Sequence, residues 1–256
     1  MPELPEVETF ARYFARHALR QRIARVRVLD ARVLGEARKE RLVRELRGKE
    51  FTQVRRHGKN LYAHAGSIWL RLHFGMTGDL AYYRDGDDPR FARVIFDFEN
   101  GSHLAFEDMR LFGVVDLARN PEAHGLGPDP LDPKFRLADF RCLLEKRRGA
   151  IKSLLMSQDI IAGIGNLYAD ETLFQTSIHP KRAVSDLSAT EVRAIFQTMR
   201  RILREVIRRH ERNREVPANY LLLHREEGAQ CPRCGGTIAR TVVFGRTTYY
   251  CRDHQA

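Results

Sequence analysis

The sequence lacks any long apolar segment and contains few cysteines, no internal repeat and no low-complexity stretch. No apolar run approaches the roughly 18 residues of a membrane-spanning helix, and acidic residues follow the first Met where a secretory signal would be basic and then apolar. We therefore expect a bacterial-type cytoplasmic protein with no membrane association. Cytosolic thiols stay reduced, so the spacing of the 4 cysteines indicates metal binding before disulfide bonds.

Acidic side chains are in the minority, which gives the chain a strong positive charge. Lys and Arg number 44 against 33 Asp and Glu, a net charge of +11 over 256 residues. Such an excess makes a polyanion the first partner to consider, although a basic enzyme with no special affinity for nucleic acid would carry it as well. The apolar content of 43% is enough for a folded core, and the length allows two modest domains.

The opening segment, MPELPEVE, concentrates prolines and carboxylates at the start of a helix that we predict over residues 6–19. Pro5 suits the first turn of this helix, and Glu6 suits the positive end of its dipole. Apolar residues then recur three and four positions apart, at Val7, Phe10, Phe14 and Ala18. From about Ile23 to Leu117 the pattern changes to short strands.

The clearest strand pair is ARVIFDFENGSHLAF, in which two alternating apolar runs flank the hairpin turn Asn100-Gly101. Several such runs predict an antiparallel β-sandwich or barrel. HGLGPDPLDP, residues 124–133, is dense in Gly, Pro and Asp and is typical of a linker. After it, SATEVRAIFQTMRRILREVIRRH predicts a long helix with a capping box of Ser188 and Glu191. The arginines on its polar face fit a solvated surface better than a DNA contact.

The C-terminal segment contains a metal-binding pattern. Cys231 and Cys234 form one C-x2-C knuckle, sixteen residues follow, and Cys251-x2-His254 forms a second. This spacing brings four ligands to one tetrahedral Zn²⁺ and, because all positions are filled by protein, predicts a structural zinc ribbon with a β-hairpin. A bystander role for His254, with zinc held loosely or absent, is the alternative. Cys142 stands alone and is predicted to be a small buried apolar residue.

A glycine-rich turn lies within residues 151–174, IKSLLMSQDIIAGIGNLYADETLF. We predict one helix that breaks at Ala162-Gly163-Ile164-Gly165 and a second helix capped by Asn166. Glycines let a backbone approach a ligand closely, and the first N–H groups of a helix attract an anion. The motif is therefore a candidate phosphate site, although an ordinary turn between two helices explains it equally.

Three motifs, MPELPEVE, IAGIGNLYADE and a cysteine-bearing ribbon with GRTTYYC, resemble in order those of the formamidopyrimidine-DNA glycosylase and endonuclease VIII family of base-excision repair enzymes. The resemblance covers nearly the whole chain. It implies an α+β fold, with an N-terminal helix and antiparallel β-sandwich followed by a helix-two-turn-helix domain and a zinc-ribbon hairpin. The implied divisions are a catalytic domain over 1–123, a linker over 124–133, a DNA-binding helical domain over 134–225 and the ribbon over 226–256.

The resemblance also implies the catalytic residues. Removal of Met1 would expose the secondary amine of Pro2, which attacks the sugar carbon of a damaged nucleotide and forms a Schiff base. This intermediate permits release of the base and strand cleavage by elimination. Glu3 is implied as the general acid, Glu6 as an orienting residue and Lys59 as a further member of the catalytic set. Without the other motifs, Pro2, Glu3 and Glu6 would be interpreted as an ordinary helix start.

The implied DNA-binding residues come from both predicted domains, so DNA is expected to lie between them. The implied phosphate ligands are Lys59, His73, Asn166 and Arg246, and Lys152 is assigned to the same DNA-binding set. Met76, Arg110 and Phe112 would fill the space left by a flipped base. The alternatives are that Met76, Phe112 and His73 belong to the core and that Lys59 is a solvated loop residue.

These three filling side chains favour the formamidopyrimidine branch, with formamidopyrimidine or 8-oxoguanine as substrate. Segment 210–230 is short compared with the segment that folds over an oxidised purine in that branch. Endonuclease VIII-like action on oxidised pyrimidines or abasic sites is therefore one alternative, and a non-catalytic zinc DNA-binding protein is another. We predict one structural zinc ion, double-stranded DNA with oxidised or abasic lesions as the partner, a monomer, and a nucleoid-associated location.

Overall fold

The computed structural model describes residues 2–121, 125–145 and 147–255, and the chain forms two compact units, Met1–Gly125 and Leu126–Ala256. Within these described ranges, no helix is both long and apolar enough to cross a membrane. Position 124 of the predicted linker lies outside the described residues. From 126 onward the segment belongs to the second unit, where Gly127 N donates a hydrogen bond to Gln158 O at 2.8 Å. The predicted boundary between 225 and 226 stays a prediction.

The first unit consists of an N-terminal helix and two antiparallel sheets. Its helices are α1 (Leu4–Ala18) and α2 (Lys39–Leu46), with a short 3-10 turn at Ala31–Val33. Its strands are β1 (Ile23–Val28), β2 (Phe51–His57), β3 (Asn60–Ala65), β4 (Ile68–His73), β5 (Gly78–Tyr83), β6 (Ala92–Phe98), β7 (His103–Asp108) and β8 (Val114–Ala118). The two four-stranded sheets have the orders β1-β6-β7-β5 and β2-β3-β4-β8.

One apolar core joins α1 to both sheets. Phe14 of α1 meets Phe51 of one sheet edge-on at 5.0 Å between ring centroids, and Phe51 meets Phe96 of the other sheet at 5.8 Å. Because side chains alternate along each strand, the inward positions of both sheets interdigitate in this layer. The predicted β-sandwich is therefore confirmed, as are α1 and the β6–β7 hairpin, whose turn residue Gly101 has φ +78°.

Helix α2 interrupts the region predicted to contain only strands. It buries only Leu42 and Leu46, one turn apart, and most of its other side chains are charged. Two buried residues are too few to establish a helical repeat of apolar positions, so the sequence pattern did not predict α2.

The second unit is mainly helical and ends in a two-stranded hairpin. Its helices are α3 (Leu137–Glu145), α4 (Ile151–Met156), α5 (Asn166–Gln175) and α6 (Ala189–Glu211), with 3-10 turns at Val184–Asp186 and Leu221–Leu223. The hairpin strands are β9 (Ile238–Val243) and β10 (Arg246–Cys251). The hairpin and the capping box of α6, in which Glu191 Oε2 accepts from Ser188 N at 2.7 Å, confirm the sequence predictions.

Gln158 makes three side-chain hydrogen bonds within the turn between α4 and α5. We predicted that this helix ends near Ala162, but α4 ends at Met156. Gln158 Nε2 donates to Met156 O at 2.9 Å and to Ile164 O at 2.6 Å, and its Oε1 accepts from Gly163 N at 2.9 Å. These bonds pair backbone N–H and C=O groups that would otherwise need helical partners, and they therefore favour the end of α4 at Met156.

Two further predictions on this unit are wrong. The N-cap of α5 is Gly165, and Asn166 is its first helical residue, so Asn166 does not cap the helix. Cys142 is exposed rather than buried. Helix α3 buries Phe140 and Leu144, which lie one turn apart, and Cys142 lies midway between them on the opposite face.

Candidate active site and metal centre

The N-terminal end of α1 carries the predicted catalytic residues Pro2 and Glu3. Pro2 is half-buried, whereas Glu3 is only 1% exposed. Glu3 N donates to Glu6 Oε2 at 2.8 Å, and the two residues form the capping box that begins the helix. The Glu6 carboxylate therefore fixes the backbone on which Pro2 and Glu3 are mounted.

Lys59 and His73 are brought together by the pairing of β3 with β4. Lys59 follows Gly58, which has φ +56°, in the two-residue turn between β2 and β3, and Asn60, the next residue, pairs with His73. Burial lowers the pKa of His73, and the charges of Lys59 and Arg71 lower it further. The imidazole is therefore neutral near pH 7.

The orientation of the His73 ring follows from one hydrogen bond. His73 Nδ1 accepts from Gly75 N at 3.2 Å. A neutral ring with Nδ1 as acceptor carries its proton on Nε2, so Nε2 is a hydrogen-bond donor. A hydrogen-bond donor at Nε2 is what a phosphate ligand at this position requires.

Met76, Arg110 and Phe112 lie on two adjoining loops of the first unit. Met76 is 42% and Phe112 is 54% exposed, so neither belongs to the core. The Arg110 guanidinium lies 4.9 Å from the centre of the Phe112 ring. The loops pack closely because Gly75, with φ +55°, has no side chain: a Cβ there would lie 2.4 Å from the Phe112 carbonyl carbon.

Asp108 organises these loops, and the sequence motifs did not single it out. Its side chain is buried, and its Oδ2 accepts from Gly113 N at 2.6 Å. Its Oδ1 accepts from Thr77 Oγ1 at 2.5 Å and from Arg110 N at 3.2 Å. A carboxylate at the last position of a strand, just before a loop with an exposed Arg, was the available signal.

In the second unit, Asn166 is held by a buried network rather than by a helix cap. Asn166 Nδ2 donates to Thr247 O at 2.9 Å, and its Oδ1 accepts from Lys152 Nζ at 2.7 Å. Lys152 is fully buried, and its ammonium also contacts Thr248 Oγ1 at 2.5 Å and Asp170 Oδ1 at 2.7 Å. The ammonium of Lys152 is therefore enclosed by protein atoms and holds Asn166, and the assignment of Lys152 to the DNA-binding set stays a prediction.

Asp170 and Arg225 complete this network and were missed by motif reasoning. Arg225 Nη1 lies 2.6 Å from Asp170 Oδ2, which also accepts from Tyr249 N at 3.1 Å. Burial raises the pKa of Asp170, while Lys152 and Arg225 act in the opposite direction. A buried carboxylate normally requires a partner of opposite charge, and Asp170 has two, Lys152 and Arg225.

Arg246 begins β10 at the tip of the hairpin and is exposed. It lies two residues before Thr248, which the Lys152 ammonium contacts. Alternate residues of a strand share one face, so Arg246 lies on the same face of the hairpin as Thr248. Thr248 Oγ1 donates to Arg246 O at 3.0 Å, so the backbone of Arg246 joins the hydrogen-bonded network that holds Asn166.

The ligand atoms of Cys231, Cys234, Cys251 and His254 all lie within 4.8 Å of one another. Cys234 Sγ is 3.5 Å from Cys251 Sγ and 3.5 Å from His254 Nδ1. A tetrahedral zinc ion with ordinary bond lengths requires ligand–ligand separations of about 3.5–3.8 Å, so the cluster has the size of such a site.

His254 Nδ1 lies among the three cysteine sulfur atoms, so His254 could complete a four-ligand metal site. Its Nε2 lies 3.3 Å from Phe174 O, and its ring meets the Phe174 ring edge-on at 4.8 Å. Donation from Nε2 to a backbone carbonyl leaves Nδ1 as the ligand atom, which is the usual outer-shell arrangement of metal-bound histidines.

Glu171 provides a prediction about pH. Burial raises the pKa of Glu171 to about 7 from the usual 4.5. Between these two pH values, the folded protein therefore keeps a proton on Glu171 that the unfolded chain has released. Stability from this group is complete below about pH 4.5 and is lost as the pH rises to about 7. We therefore expect Glu171→Gln to raise the free energy of unfolding by about 2–3 kcal/mol at pH 8 but not at pH 4.5.

Urea unfolding at the two pH values measures this effect. Glu171 accepts from Gln175 Nε2 at 2.8 Å and from Leu222 N at 2.9 Å, and an amide can satisfy both positions once Gln175 rotates. Glu227→Gln, at an exposed position, is the matched control and should change stability at neither pH. Equal effects of Glu171→Gln at both pH values would contradict the raised pKa.

Comparison with known proteins gives consistent matches along the chain. The family model for the formamidopyrimidine-DNA glycosylase N-terminal domain matches residues 1–115, and the model for the H2TH domain of the same enzyme matches residues 126–216. Among curated relatives, formamidopyrimidine-DNA glycosylase of Desulforamulus reducens is 34% identical over 275 residues, covering 100% of this chain and 99% of the relative. The enzyme of Moorella thermoacetica is 36% identical, covering 94% of each.

Two solved structures have the same fold as this chain over nearly its whole length. Lactococcus lactis formamidopyrimidine-DNA glycosylase bound non-covalently to DNA with an abasic site has a TM-score of 0.86 and 28% identity over 99% of each chain. MutM in complex with DNA containing carbocyclic 8-oxoguanine has a TM-score of 0.87 and 27% identity, again over 99% of each chain.

Agreement in sequence and fold from end to end defines the class of protein, which is a DNA glycosylase. The chain belongs to the formamidopyrimidine-DNA glycosylase and endonuclease VIII family. The family resemblance carried by MPELPEVE, IAGIGNLYADE and the cysteine-bearing ribbon is thereby confirmed.

Proposed function

We propose that this enzyme is a bifunctional glycosylase and abasic-site lyase that uses the amine of Pro2 as its nucleophile. The Pro2 nitrogen attacks C1′ of a flipped nucleotide, and the bond from C1′ to the damaged base breaks. The Pro2 nitrogen then loses its proton, and the bond from C1′ to the ring oxygen breaks as that oxygen is protonated, which leaves an iminium between the Pro2 nitrogen and C1′. The iminium withdraws electrons from C2′, which loses a proton as the bond from C3′ to its phosphate oxygen breaks. A secondary amine gives a charged iminium without a further proton, which favours this elimination.

The observation that carries the proposal is the half-buried Pro2 immediately before the buried acid Glu3, on a backbone fixed by Glu6. Glu3 is proposed to protonate the sugar ring oxygen during attack. The test is trapping with borohydride, which reduces the imine to a stable adduct between protein and abasic-site DNA. Absence of a trapped adduct with the wild-type protein would leave only a DNA-binding role.

The DNA substrate is proposed from the relatives, whose structures contain abasic-site or 8-oxoguanine DNA, and from the residues of each unit. Neutral His73, Lys59, Asn166 and Arg246 are proposed as phosphate ligands, with Lys152 positioning Asn166. Met76, Arg110 and Phe112 are proposed to fill the space left by the flipped base, since all three are exposed on one pair of loops. A monomer located with the nucleoid in the cytoplasm remains our proposal.

Zinc is the proposed metal at Cys231, Cys234, Cys251 and His254. Three thiolates and one imidazole in tetrahedral spacing suit zinc, and all four positions are filled by protein. The ion would have a structural role and would hold the hairpin that carries Arg246.

The preferred lesion is proposed to be an oxidised purine, formamidopyrimidine or 8-oxoguanine. Exposed Arg110 and Phe112 support this branch. We expect excision of formamidopyrimidine from a duplex to be about tenfold faster than excision of thymine glycol. Single-turnover rates on duplexes with each lesion measure this ratio, and the undamaged duplex is the control.

The endonuclease VIII-like alternative is favoured by one observation, the fixed conformation of the segment before the hairpin. Leu222 N donates to Glu171 at 2.9 Å, and Arg225 pairs with Asp170 at 2.6 Å. A segment held in this way is poorly suited to fold over a purine. A clear preference for thymine glycol in the same assay would establish this alternative and overturn our choice of branch.

A further inference from the structure

The tip of the β9–β10 hairpin has an unusual turn. Val243 and Arg246 pair across a two-residue connection, Phe244-Gly245, and both connecting residues have positive φ, +50° and +67°. Such a turn normally takes Asn or Asp followed by Gly, because these residues enter the left-handed region most readily. A phenylalanine in this conformation is an outlier that local backbone preference does not explain.

Packing of the side chain in a core does not explain the strained backbone of Phe244 either. Its side chain is 72% exposed, the most exposed large apolar residue among those described, and Val242, two residues earlier, is 59% exposed. Phe244 therefore combines a disfavoured backbone with an unshielded ring. Strained residues and exposed apolar side chains cluster at functional sites, so the Phe244 ring is a candidate contact with a binding partner.

The charges around the tip indicate the kind of partner. Arg246 directly follows the turn and is exposed, and Arg240 is exposed two residues before Val242. Alternation along the strands places Arg240 and Val242 on one face of the hairpin and Arg246 on the other. An apolar tip with cations on both faces complements a groove whose walls are phosphates and whose interior presents sugars and base edges.

We propose that Phe244, supported by Val242, is an apolar wedge that packs against sugars and base edges in the minor groove of duplex DNA, next to the phosphate bound by Arg246. This inference rests on the proposed DNA glycosylase function and adds a contact that depends on shape and not on charge. Aromatic and aliphatic wedges are a recurrent means of bending DNA from the minor groove. The energy that the turn loses by holding Phe244 would be recovered in the complex.

The test compares Phe244→Asn with the wild type in binding to a duplex that contains an abasic-site analogue. Asn is the residue that the turn prefers, so the variant should keep its metal content and unfold at the same or a higher temperature. We expect its DNA affinity to fall about tenfold, with an unchanged dependence on salt concentration. Arg246→Ala should instead reduce the salt dependence by about one counterion. Phe244→Trp should retain wild-type affinity.

A base analogue reports on the wedge directly. With 2-aminopurine placed in turn at each step flanking the abasic analogue, binding of the wild type should raise fluorescence at one step that Phe244→Asn leaves stacked, whereas the step unstacked by Phe112 should respond equally in both proteins. Affinity and fluorescence equal to those of the wild type in Phe244→Asn would overturn the wedge while leaving the glycosylase proposal intact. If the wild type neither binds the duplex nor gives a borohydride adduct, both proposals fail.

Discussion

Pro2→Gly is expected to reduce borohydride trapping on abasic-site DNA by roughly 10³-fold, with DNA affinity changed by less than about threefold. Glycine at the terminus retains an amine, but it is a primary amine whose imine must be protonated before it can accept electrons. It also loses the ring that fixes the nitrogen before the buried Glu3. Loss of trapping with binding retained would separate the nucleophile from the DNA-binding residues.

Pro5→Ala is the matched control for this experiment. Pro5 is a second proline in the same first turn of α1, but its nitrogen lies within the chain and is buried. This variant should trap DNA as the wild type does. Mass spectrometry of the folded protein should show that Met1 has been removed. Undiminished strand cleavage by protein that retains Met1, or by Pro2→Gly, would contradict the proposed nucleophile.

The parts of the fold that depend on local pattern could be predicted from the sequence. Helix α6 has a capping box and a continuous apolar face, and the β6–β7 hairpin has alternating residues around Asn100-Gly101. The spacing of Cys231, Cys234, Cys251 and His254 specified a four-ligand cluster that the structure assembles. In each case neighbouring residues in the sequence contain the complete signal, because periodicity and ligand spacing are local properties.

The rest depends on contacts between distant residues. Asp108 orders the loop of Arg110 by accepting from Thr77, 31 positions earlier. Asp170 pairs with Arg225, 55 positions later, and neither residue belongs to a pattern that predicts the pair. Lys152 was assigned to the DNA-binding set, whereas the structure encloses its ammonium. Burial of a charge is decided by tertiary packing, which single-sequence patterns do not report.

The hairpin that carries Arg246 has little apolar packing of its own. Its small core consists of Phe174, Leu221, Cys231, Ile238 and Cys251. A two-stranded hairpin is marginally stable in water unless a metal or a larger core supports it. Metal binding is therefore expected to determine whether Arg246 and Phe244 are held at the hairpin tip.

Cys251→Ala is accordingly expected to abolish zinc binding and to weaken binding to lesion DNA by roughly 10- to 100-fold, the value of one lost charge-assisted contact. Cys142→Ala is the matched control, since Cys142 is an exposed cysteine outside the cluster, and should change neither quantity. His254→Cys should retain zinc, because a fourth thiolate fits the same tetrahedron, whereas His254→Ala should weaken it. Metal analysis and DNA titration of the four variants measure these effects. If Cys251→Ala bound DNA as tightly as Cys142→Ala, the hairpin would be stable without the metal, and zinc would not be what positions Arg246.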